Sequence, residues 1–404
     1  MASHITTALM LGAVLATVTS CVAAPAPGSA TSTPSQQPHL QTPPPTGPRG
    51  HSEATRNLSA TAPPQTPTAH GLPVCAPMPS PRERIVFDGG FPGPVFTVSA
   101  GGGDLQAIVT DDNGTRCFHP DWSPDGTRIA LACSIEGNGD IYTVDPDGAH
   151  LSRVTDGPHF ETDPIWAPDG SRIAFIRSLS AEPYGWELVT VSPDGSDQVV
   201  VAREPSPDEF AAVDTSYTWS PDGTQIAFNA DSLAGKQVFV VNADGTGLRQ
   251  LTRERRPLLP YVDEALWPSW STDGTHIVFV RAYGISMIGA NGLGERVIAS
   301  GYLYFTPQWA PDGRSIAFTQ LGEQGEYPLY VYDVETATTS RLNQGVRTLT
   351  FEWAPDGCHI AFVAGHPDQW SLYIASIETL DTHEILPFGP SSQIPLLGGM
   401  SWEP

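Results

Sequence analysis

A five-residue motif, Trp followed by Ser or Ala, Pro or Thr, then Asp-Gly, occurs six times in this chain. Successive copies lie 39 to 53 residues apart and begin at Trp122, Trp166, Trp219, Trp270, Trp309 and Trp353. A repeat of this length with several short apolar segments is typical of one blade of a β-propeller. The chain also holds 40 Pro and 39 Gly, which disfavours an all-helical bundle. The repeat therefore predicts an all-β circular array.

Each repeat has the turn chemistry of a four-stranded antiparallel blade. In the motif, Pro presets φ for a turn, Asp can accept hydrogen bonds from the turn backbone, and Gly takes the left-handed position. In the first repeat, short strand-like segments follow at 128–131 and 140–144, and a second Asp-Gly turn at 145–148 precedes the fourth strand. We expect the motif Trp to pack between neighbouring blades.

Two incomplete repeats lie at the ends of the repeat region. Residues 84–109 supply a second, third and fourth strand without a first, whereas residues 399–404 supply a first strand with Trp402. Pairing of the two segments would close the ring and remove the exposed strand edges of an open array. We therefore predict seven blades, with six blades as the alternative.

The motifs resemble the TolB-type, WD-like propeller repeats, whose hallmark is the Trp-Ser-Pro-Asp-Gly turn. The resemblance covers residues 118–387 and implies a propeller fold for residues 83–404. In that family the motif is scaffold, so the resemblance implies that its Asp residues are not paired catalytic carboxylates. A fold of this kind does not specify a reaction.

The first 82 residues have a different composition. An apolar run over residues 8–18 ends in Val-Thr-Ser-Cys21, which resembles a bacterial lipobox and implies export with lipid attached at Cys21. Residues 1–7 contain no Lys or Arg, so ordinary signal cleavage near Ala24 is the alternative. Residues 22–82 hold 15 Pro among Thr, Ser, Ala and Gln, which predicts a disordered tether. The sequence predicts a protein of the cell envelope, either periplasmic or at the cell surface.

The acidic charge belongs to the predicted propeller. The whole chain has 44 acids and 20 bases, a net charge of −24, while residues 22–82 carry one Glu and three Arg, a net charge of +2. Residues 83–404 therefore carry −26. Such a charge repels phosphate backbones and anionic lipid headgroups. We expect a monomer that binds no nucleic acid and meets the membrane only through a lipid anchor.

Four further cysteines fit an oxidising compartment. If residues 124–126 form a three-residue hairpin loop, Ser123 faces Thr127 and Cys117 lies opposite Cys133, close enough for a disulfide. Two unpaired thiols are the alternative for this pair. The sequence assigns no partner to Cys75 or Cys358.

Motifs for catalysis are absent from the sequence. It contains no Gly-x-Ser-x-Gly nucleophile elbow, phosphate-binding loop, His-Glu-x-x-His or Cys-x-x-Cys. We therefore expect no prolyl-peptidase-like hydrolase, no cofactor and no metal site. His119 and His159, both placed just before first strands, keep one enzyme alternative open: a metal-dependent polysaccharide lyase, or a glycan hydrolase.

The predicted ring offers a central channel whose mouth is lined by residues three or one before each motif Trp. One of these two sets is expected to approach the channel, and their acids, hydroxyls and extra aromatic suit a peptide or sugar. The function predicted is a non-catalytic, envelope-tethered binding or scaffold module for an unknown protein, peptide or glycan. The candidate ligand-binding residues are His119, Asp121, Asp163, Trp267, Gln308 and Glu352.

Overall fold

The computed structural model describes residue 75 and residues 78–80, 82–89, 93–110, 114–135, 138–179, 184–206, 216–232, 235–253, 264–281, 284–300, 304–322, 325–343, 346–366, 369–389 and 399–404. The predicted signal sequence, Cys21 and most of the predicted tether lie outside these residues. Within them the chain forms strands and turns, and it contains no helix long and apolar enough to cross a membrane.

Seven four-stranded antiparallel sheets form a ring, so the prediction of seven blades is confirmed and the six-blade alternative is wrong. Blade 1 contains β1 (Arg84–Asp88), β2 (Val95–Ser99), β3 (Gln106–Val109) and the last strand, β28 (Met400–Trp402). Blade 2 contains β4 (Arg116–Trp122), β5 (Ile129–Ile135), β6 (Asn138–Val144) and β7 (Ser152–Arg153). Blade 3 contains β8 (Phe160–Trp166), β9 (Ile173–Leu179), β10 (Tyr184–Val191) and β11 (Val199–Ser206).

The remaining four blades follow the same order along the chain. Blade 4 contains β12 (Tyr217–Trp219), β13 (Gln225–Ser232), β14 (Gly235–Asn242) and β15 (Arg249–Gln250). Blade 5 contains β16 (Ala265–Trp270), β17 (His276–Arg281), β18 (Gly284–Gly289) and β19 (Arg296–Ser300). Blade 6 contains β20 (Tyr304–Trp309), β21 (Ser315–Gln320), β22 (Leu329–Asp333) and β23 (Thr338–Arg341). Blade 7 contains β24 (Arg347–Trp353), β25 (His359–His366), β26 (Gln369–Ser376) and β27 (Thr382–Gly389).

Blade 1 is assembled from both ends of the propeller, as the sequence predicts. The last strand, β28, pairs antiparallel with β1, with Trp402 opposite Ile85 and Met400 opposite Phe87. The backbone N–H of Glu403 donates to the Arg84 carbonyl at 2.8 Å. The ring is therefore closed by strand pairing between residues that lie more than 300 positions apart.

The hydrophobic core lies between blades rather than within one layer. Seven buried clusters each join two neighbouring blades, and each contains one motif Trp or Trp402. In one of them Trp122 of blade 2 packs with Ile129 and with Val86 of blade 1. Because both faces of the middle strands are covered in this way, those strands are continuously apolar.

The motif turns have the predicted chemistry but one more residue. Gly126 has a φ of +68°, and the Asp125 carboxylate accepts a hydrogen bond from the Thr127 N–H at 3.0 Å. The N–H of Ser123 donates to the Arg128 carbonyl, so the loop has four residues, and the predicted pairing of Ser123 with Thr127 is wrong.

The structure nevertheless joins Cys117 and Cys133 in a disulfide, with Cα atoms 4.1 Å apart. A bulge between Phe118 and Asp121 adds one residue to β4 and restores the register that the longer loop had shifted. A second disulfide joins Cys75 to Cys358, two residues to which the sequence assigned no partner. This bridge fastens the end of the predicted tether to the turn that opens β25.

The second Asp-Gly turn of a blade packs against the preceding blade in the ring. In blade 2, Gly148 has a φ of +85°, and a Cβ at this position would lie 2.6 Å from the carbonyl oxygen of Ile108 in blade 1. Gly195 of blade 3 lies in the same way against Val154 of blade 2. The turn needs glycine for its backbone conformation and for this close approach.

We expect Gly148→Ala to lower the free energy of unfolding by about 3 kcal/mol, because it adds a clash with backbone to the cost of the left-handed conformation. Gly294→Ala is the matched control, since Gly294 has a φ of +74° and no atom within 4 Å of the added Cβ. The control should lose only about 1 kcal/mol in urea denaturation. Equal losses in the two variants would contradict the role of the contact between blades.

Candidate functional site

One cavity of about 500 Å³ lies where the innermost strands of the blades converge. All seven blades contribute to its wall, and six of the seven residues in each predicted set face it, so the expectation that one set or the other would do so is wrong; Thr350 and Ser401 are not among the lining residues. Residues three before the Trp supply His119, Asp163, Ser216, Trp267, Thr306 and Gly399, and residues one before it supply Asp121, Ile165, Thr218, Ser269, Gln308 and Glu352. The six candidate residues thus lie around one space.

Local backbone distortions place four of these side chains at the cavity. In four blades a Pro lies two residues before the Trp, and the strand register shifts there. Because Pro has no N–H to donate to the ladder, a bulge accommodates it. The residue before each Pro has a positive φ: His119 (+52°), Asp163 (+54°), Trp267 (+54°) and Thr306 (+36°). Bulges re-aim side chains, and strained backbone clusters at functional sites.

His119 and Asp163, from neighbouring blades, form an ion pair in this wall. The imidazole Nδ1 lies 2.6 Å from Asp163 Oδ1 and 3.1 Å from Thr162 Oγ1. Burial lowers the pKa of His119, but the charge and hydrogen bond of Asp163, together with the charge of Asp88, outweigh burial and raise the pKa. Burial likewise raises the pKa of Asp163, but the charge of His119 and the hydrogen bonds from His119 and Thr162 together outweigh burial, so that pKa is lowered. Both shifts favour the ionised form of the pair.

The pKa values of the carboxyl groups of Asp121 and Glu352 are raised, in contrast to that of Asp163. Burial raises the pKa of Asp121 to about 7, although its carboxylate accepts hydrogen bonds from the Trp166 N–H at 2.7 Å and the Ser401 hydroxyl at 3.2 Å. Burial and then the charge of Asp121 raise the pKa of Glu352 to about 8. The hydrogen bond from Gln308 Nε2 to Glu352, at 3.5 Å, opposes this only weakly. Both carboxyl groups consequently exchange protons near neutral pH.

The residues one before the Trp also tie neighbouring blades together. Asp121 accepts from the backbone N–H of the next blade's Trp, and Ser401 Oγ and Ser269 Oγ accept in the same way from Trp122 and Trp309, at 3.2 and 3.1 Å. Gln308 differs, since its buried Oε1 has no hydrogen-bond partner among the described residues. The cavity wall therefore contains both scaffold contacts and an unsatisfied acceptor.

The two histidines considered for a metal site do not come together. His119 lies within β4 rather than before it, and its Nδ1 is engaged by Asp163. His159 precedes β8 at the end away from Trp166, and it is not part of the cavity wall. Among the residues that the structure describes, no group of three or more His, Cys, Asp or Glu is arranged to hold a metal ion. The described residues do not fit the metal centre that the lyase alternative requires.

The sequence could have revealed more of this site than it did. The Pro two residues before Trp122, Trp166, Trp270 and Trp309 is visible as a pattern, and it marks the bulged strands. No comparable signal identifies Tyr217, whose buried hydroxyl lies within hydrogen-bond distance of two backbone carbonyl oxygens, that of Asp163 and, at 3.0 Å, that of Ala174. Burial raises the pKa of this phenol well above its usual value.

Comparison with known proteins supports the fold assignment. Residues 102–187 match the family described as the TolB beta propeller domain. A solved TolB from Acinetobacter baumannii aligns with a TM-score of 0.51 and 15% identity over 81% of this chain and 68% of that protein. The chain thus has the propeller fold, and residues 102–187 are similar to TolB-type repeats.

Enzymes with propellers are also similar to this chain. An oligogalacturonate lyase solved in complex with manganese aligns with a TM-score of 0.54 and 13% identity, over 75% of this chain and 84% of the lyase. Dipeptidyl-peptidase 5 of Porphyromonas endodontalis is 26% identical over 247 residues, 55% of this chain. That match spans only 33% of the peptidase. At these identities the solved structures establish the fold alone.

Proposed function

We propose that this TolB-type propeller is a non-catalytic, exported binding module that takes a peptide, a protein segment or a glycan in its central cavity. The observation that carries the proposal is a single cavity of about 500 Å³ to which all seven blades contribute. This volume lies within the usual range of ligand pockets, roughly 300–1,000 Å³. Its wall combines apolar surface from Trp267 and Ile165 with a small number of polar groups, as ligand pockets do.

Export is supported by the cysteines. The two disulfides join Cys75 to Cys358 and Cys117 to Cys133, and such bonds persist in oxidising compartments. Because the segment that ends at Cys21 resembles a lipobox, we also propose a lipid anchor at Cys21. This anchor would hold the propeller at the cell envelope through the tether.

An enzyme is the second candidate, favoured by one observation. Asp121 and Glu352 have pKa values of about 7 and about 8 inside the cavity, which suits proton transfer to a bound substrate. Against it, the described residues include no group of three or more His, Cys, Asp or Glu arranged to hold a metal ion, and the sequence has no Gly-x-Ser-x-Gly nucleophile motif. The similarity to a peptidase covers a third of that enzyme.

Blocking the cavity tests the proposal. Thr218 lines the cavity and is half-buried, whereas Thr339 is exposed on the outer strand of blade 6, so Thr218→Trp and Thr339→Trp make the same change at two places. We expect a ligand found by titrating peptides and oligosaccharides to bind the wild type and Thr339→Trp equally. Thr218→Trp should weaken binding by about a hundredfold, because an indole fills space that the ligand needs.

Mass spectrometry of the same mixtures separates the two candidate functions. A binding module leaves each ligand intact. Cleavage of a peptide or oligosaccharide that is lost in Glu352→Gln and retained in Thr339→Trp would establish the enzyme instead. Unchanged ligand binding by Thr218→Trp would show that the ligand does not bind in the cavity.

A further inference from the structure

We propose that the central cavity takes an alkylammonium group, and that binding of this cation releases protons from carboxyl groups in the cavity wall. The inference rests on the proposed function and specifies the chemical class of the ligand. Among the described residues, three carboxyl groups line the cavity, those of Asp121, Asp163 and Glu352, and none of the described lining residues is Lys or Arg. The imidazole of His119 is the one basic side chain among the described residues that line it.

The acceptors in the wall are incompletely satisfied. Glu352 receives a hydrogen bond from Gln308 Nε2 at 3.5 Å, the upper limit of such a bond, while Gln308 Oε1 is buried and has no partner among the described residues. A buried acceptor without a donor costs about 1–3 kcal/mol. An ammonium group carries three donors and no acceptor, so it suits the carboxyl groups that line the cavity, whereas an anion or a ligand rich in acceptors does not.

The rest of the wall suits an alkyl chain. Prolines 120, 164, 268 and 307 lie around the cavity with Ile165, Met400 and the indole of Trp267. Apolar side chains contact a methylene chain favourably, and an aromatic ring can also attract the cation through its π face. A ligand with a positive end and an apolar stem fits both parts of the wall.

The groups that face Asp121 and Glu352 determine the sign of the pH dependence. Asp163 and Asp88 are carboxylates on β8 and β1, and the raised pKa of Tyr217 keeps its phenol neutral. His119 has a raised pKa and repels a cation while it is protonated. The pKa values of Asp121 and Glu352 are about 7 and about 8, so both groups carry protons on the acid side of this range.

As pH rises from about 6 to about 9, Asp121 and Glu352 lose their protons. Both changes favour a bound cation, and a cation in turn favours the ionised carboxyl groups. Affinity for an ammonium ion should therefore rise by at least about tenfold across this interval, with proton release on binding near pH 7.

The first test uses n-butylammonium chloride and its neutral counterpart 1-butanol in calorimetric titrations of the whole chain. We expect butylammonium to bind at least about tenfold more tightly at pH 9 than at pH 6, and heats measured in two buffers should show proton release. Glu352→Gln should remove most of this rise, while Glu335→Gln, which changes an exposed glutamate of blade 6, should keep it. Equal binding of 1-butanol, or affinity independent of pH in the wild type, would overturn the inference without recourse to a variant.

Peptide probes distinguish the source of the ammonium group. A lysine-free hexapeptide with a free N-terminus should bind best near pH 8 and weaken above it, because its α-amine has a pKa of about 8. The acetylated peptide with one Lys should continue to gain affinity to about pH 9, since the Lys pKa is about 10.4.

The inference and the proposed function fail in different ways. If an acetylated, lysine-free peptide or a neutral oligosaccharide binds in a manner that Thr218→Trp abolishes, and butylammonium does not, the binding module stands and the ammonium site falls. If no ligand of any class is affected by Thr218→Trp, both fall.

Discussion

Deletion of residues 399–404 is expected to lower the free energy of unfolding by about 5 kcal/mol or more, a fall in melting temperature of roughly 10–20 °C. The deletion removes β28, whose pairing with β1 closes the ring. It also removes Trp402, which is 5% exposed in the cluster between blades 7 and 1. Loss of a buried Trp side chain alone costs about 3–5 kcal/mol.

Polar contacts at the closure increase the expected loss. The Arg84 guanidinium forms two hydrogen bonds of 3.1 Å with the Glu403 carboxylate and lies over the Trp122 ring at 5.1 Å. The fully buried Asp88 carboxylate accepts from the backbone N–H of Gly399 at 2.9 Å and from that of His119 at 3.1 Å. Removal of the strand takes away one of the hydrogen bonds that stabilise this buried carboxylate, which is costly.

Chemical denaturation measures the effect, and deletion of six residues within 30–60, in the predicted tether, is the control. The control should unfold like the wild type, because the sequence of this segment predicts a disordered tether, which would contribute no packing. Equal unfolding midpoints for the two deletions would contradict closure by β28. Glu403→Gln should lower the free energy of unfolding by only about 1 kcal/mol, because the Arg84–Glu403 ion pair is partly exposed.

Stability should decrease with pH across the neutral range, and Glu352→Gln should weaken that decrease. The folded protein holds a proton on Glu352 up to about pH 8, whereas an unfolded Glu loses it near its ordinary pKa of 4.5. The folded state thus binds more protons than the unfolded state between these values, and stability falls as pH rises through them. Solvent in the cavity screens the half-buried carboxyl, so we expect a difference of about 2 kcal/mol between wild type and variant from pH 5 to pH 9.

Urea denaturation at several pH values provides the measurement. Gln has no proton to lose, so the free energy of unfolding of Glu352→Gln should increase relative to that of the wild type as pH rises. The free energy of unfolding of Glu335→Gln should have the same pH dependence as that of the wild type. His119 adds a contribution of the same sign, since its raised pKa stabilises the folded state below that value and the stabilisation is lost above it. A wild type and Glu352→Gln with parallel pH profiles would mean that Glu352 titrates as an ordinary surface carboxyl.

Blade number and ring closure were predictable because their determinants repeat along the sequence. The Trp-x-x-Asp-Gly turn requires Pro, Asp and Gly at fixed positions, and the partial repeats at 84–109 and 399–404 are complementary. The predicted pairing of Cys117 with Cys133 is correct only because two departures from the predicted hairpin cancel. The loop has four residues instead of three, and the bulge at His119 adds one residue to β4. Local turn length was therefore harder to predict than the architecture.

The candidate site was predictable in membership but not in geometry or charge. Residues three and one before each Trp were identified by position, but the bulges that bring both kinds of residue to the cavity in four of the blades were not predicted. The pairing of Cys75 with Cys358 could not be inferred, because these residues lie 283 positions apart and outside any shared hairpin. Lipid attachment at Cys21 and the export signal remain predictions from the sequence.

The sequence by itself determined the ring, because a turn, a buried Trp and four short strands are local features that recur with one period. Only the tertiary structure decided the electrostatics of the cavity. Asp121, Asp163 and Glu352 have the same functional group, but Asp163 pairs with His119 across a blade boundary, whereas burial raises the pKa of the other two and the charge of Asp121 adds to the shift of Glu352. A pKa depends on all the charges and the solvent around a group, and these come from strands that are far apart in the chain.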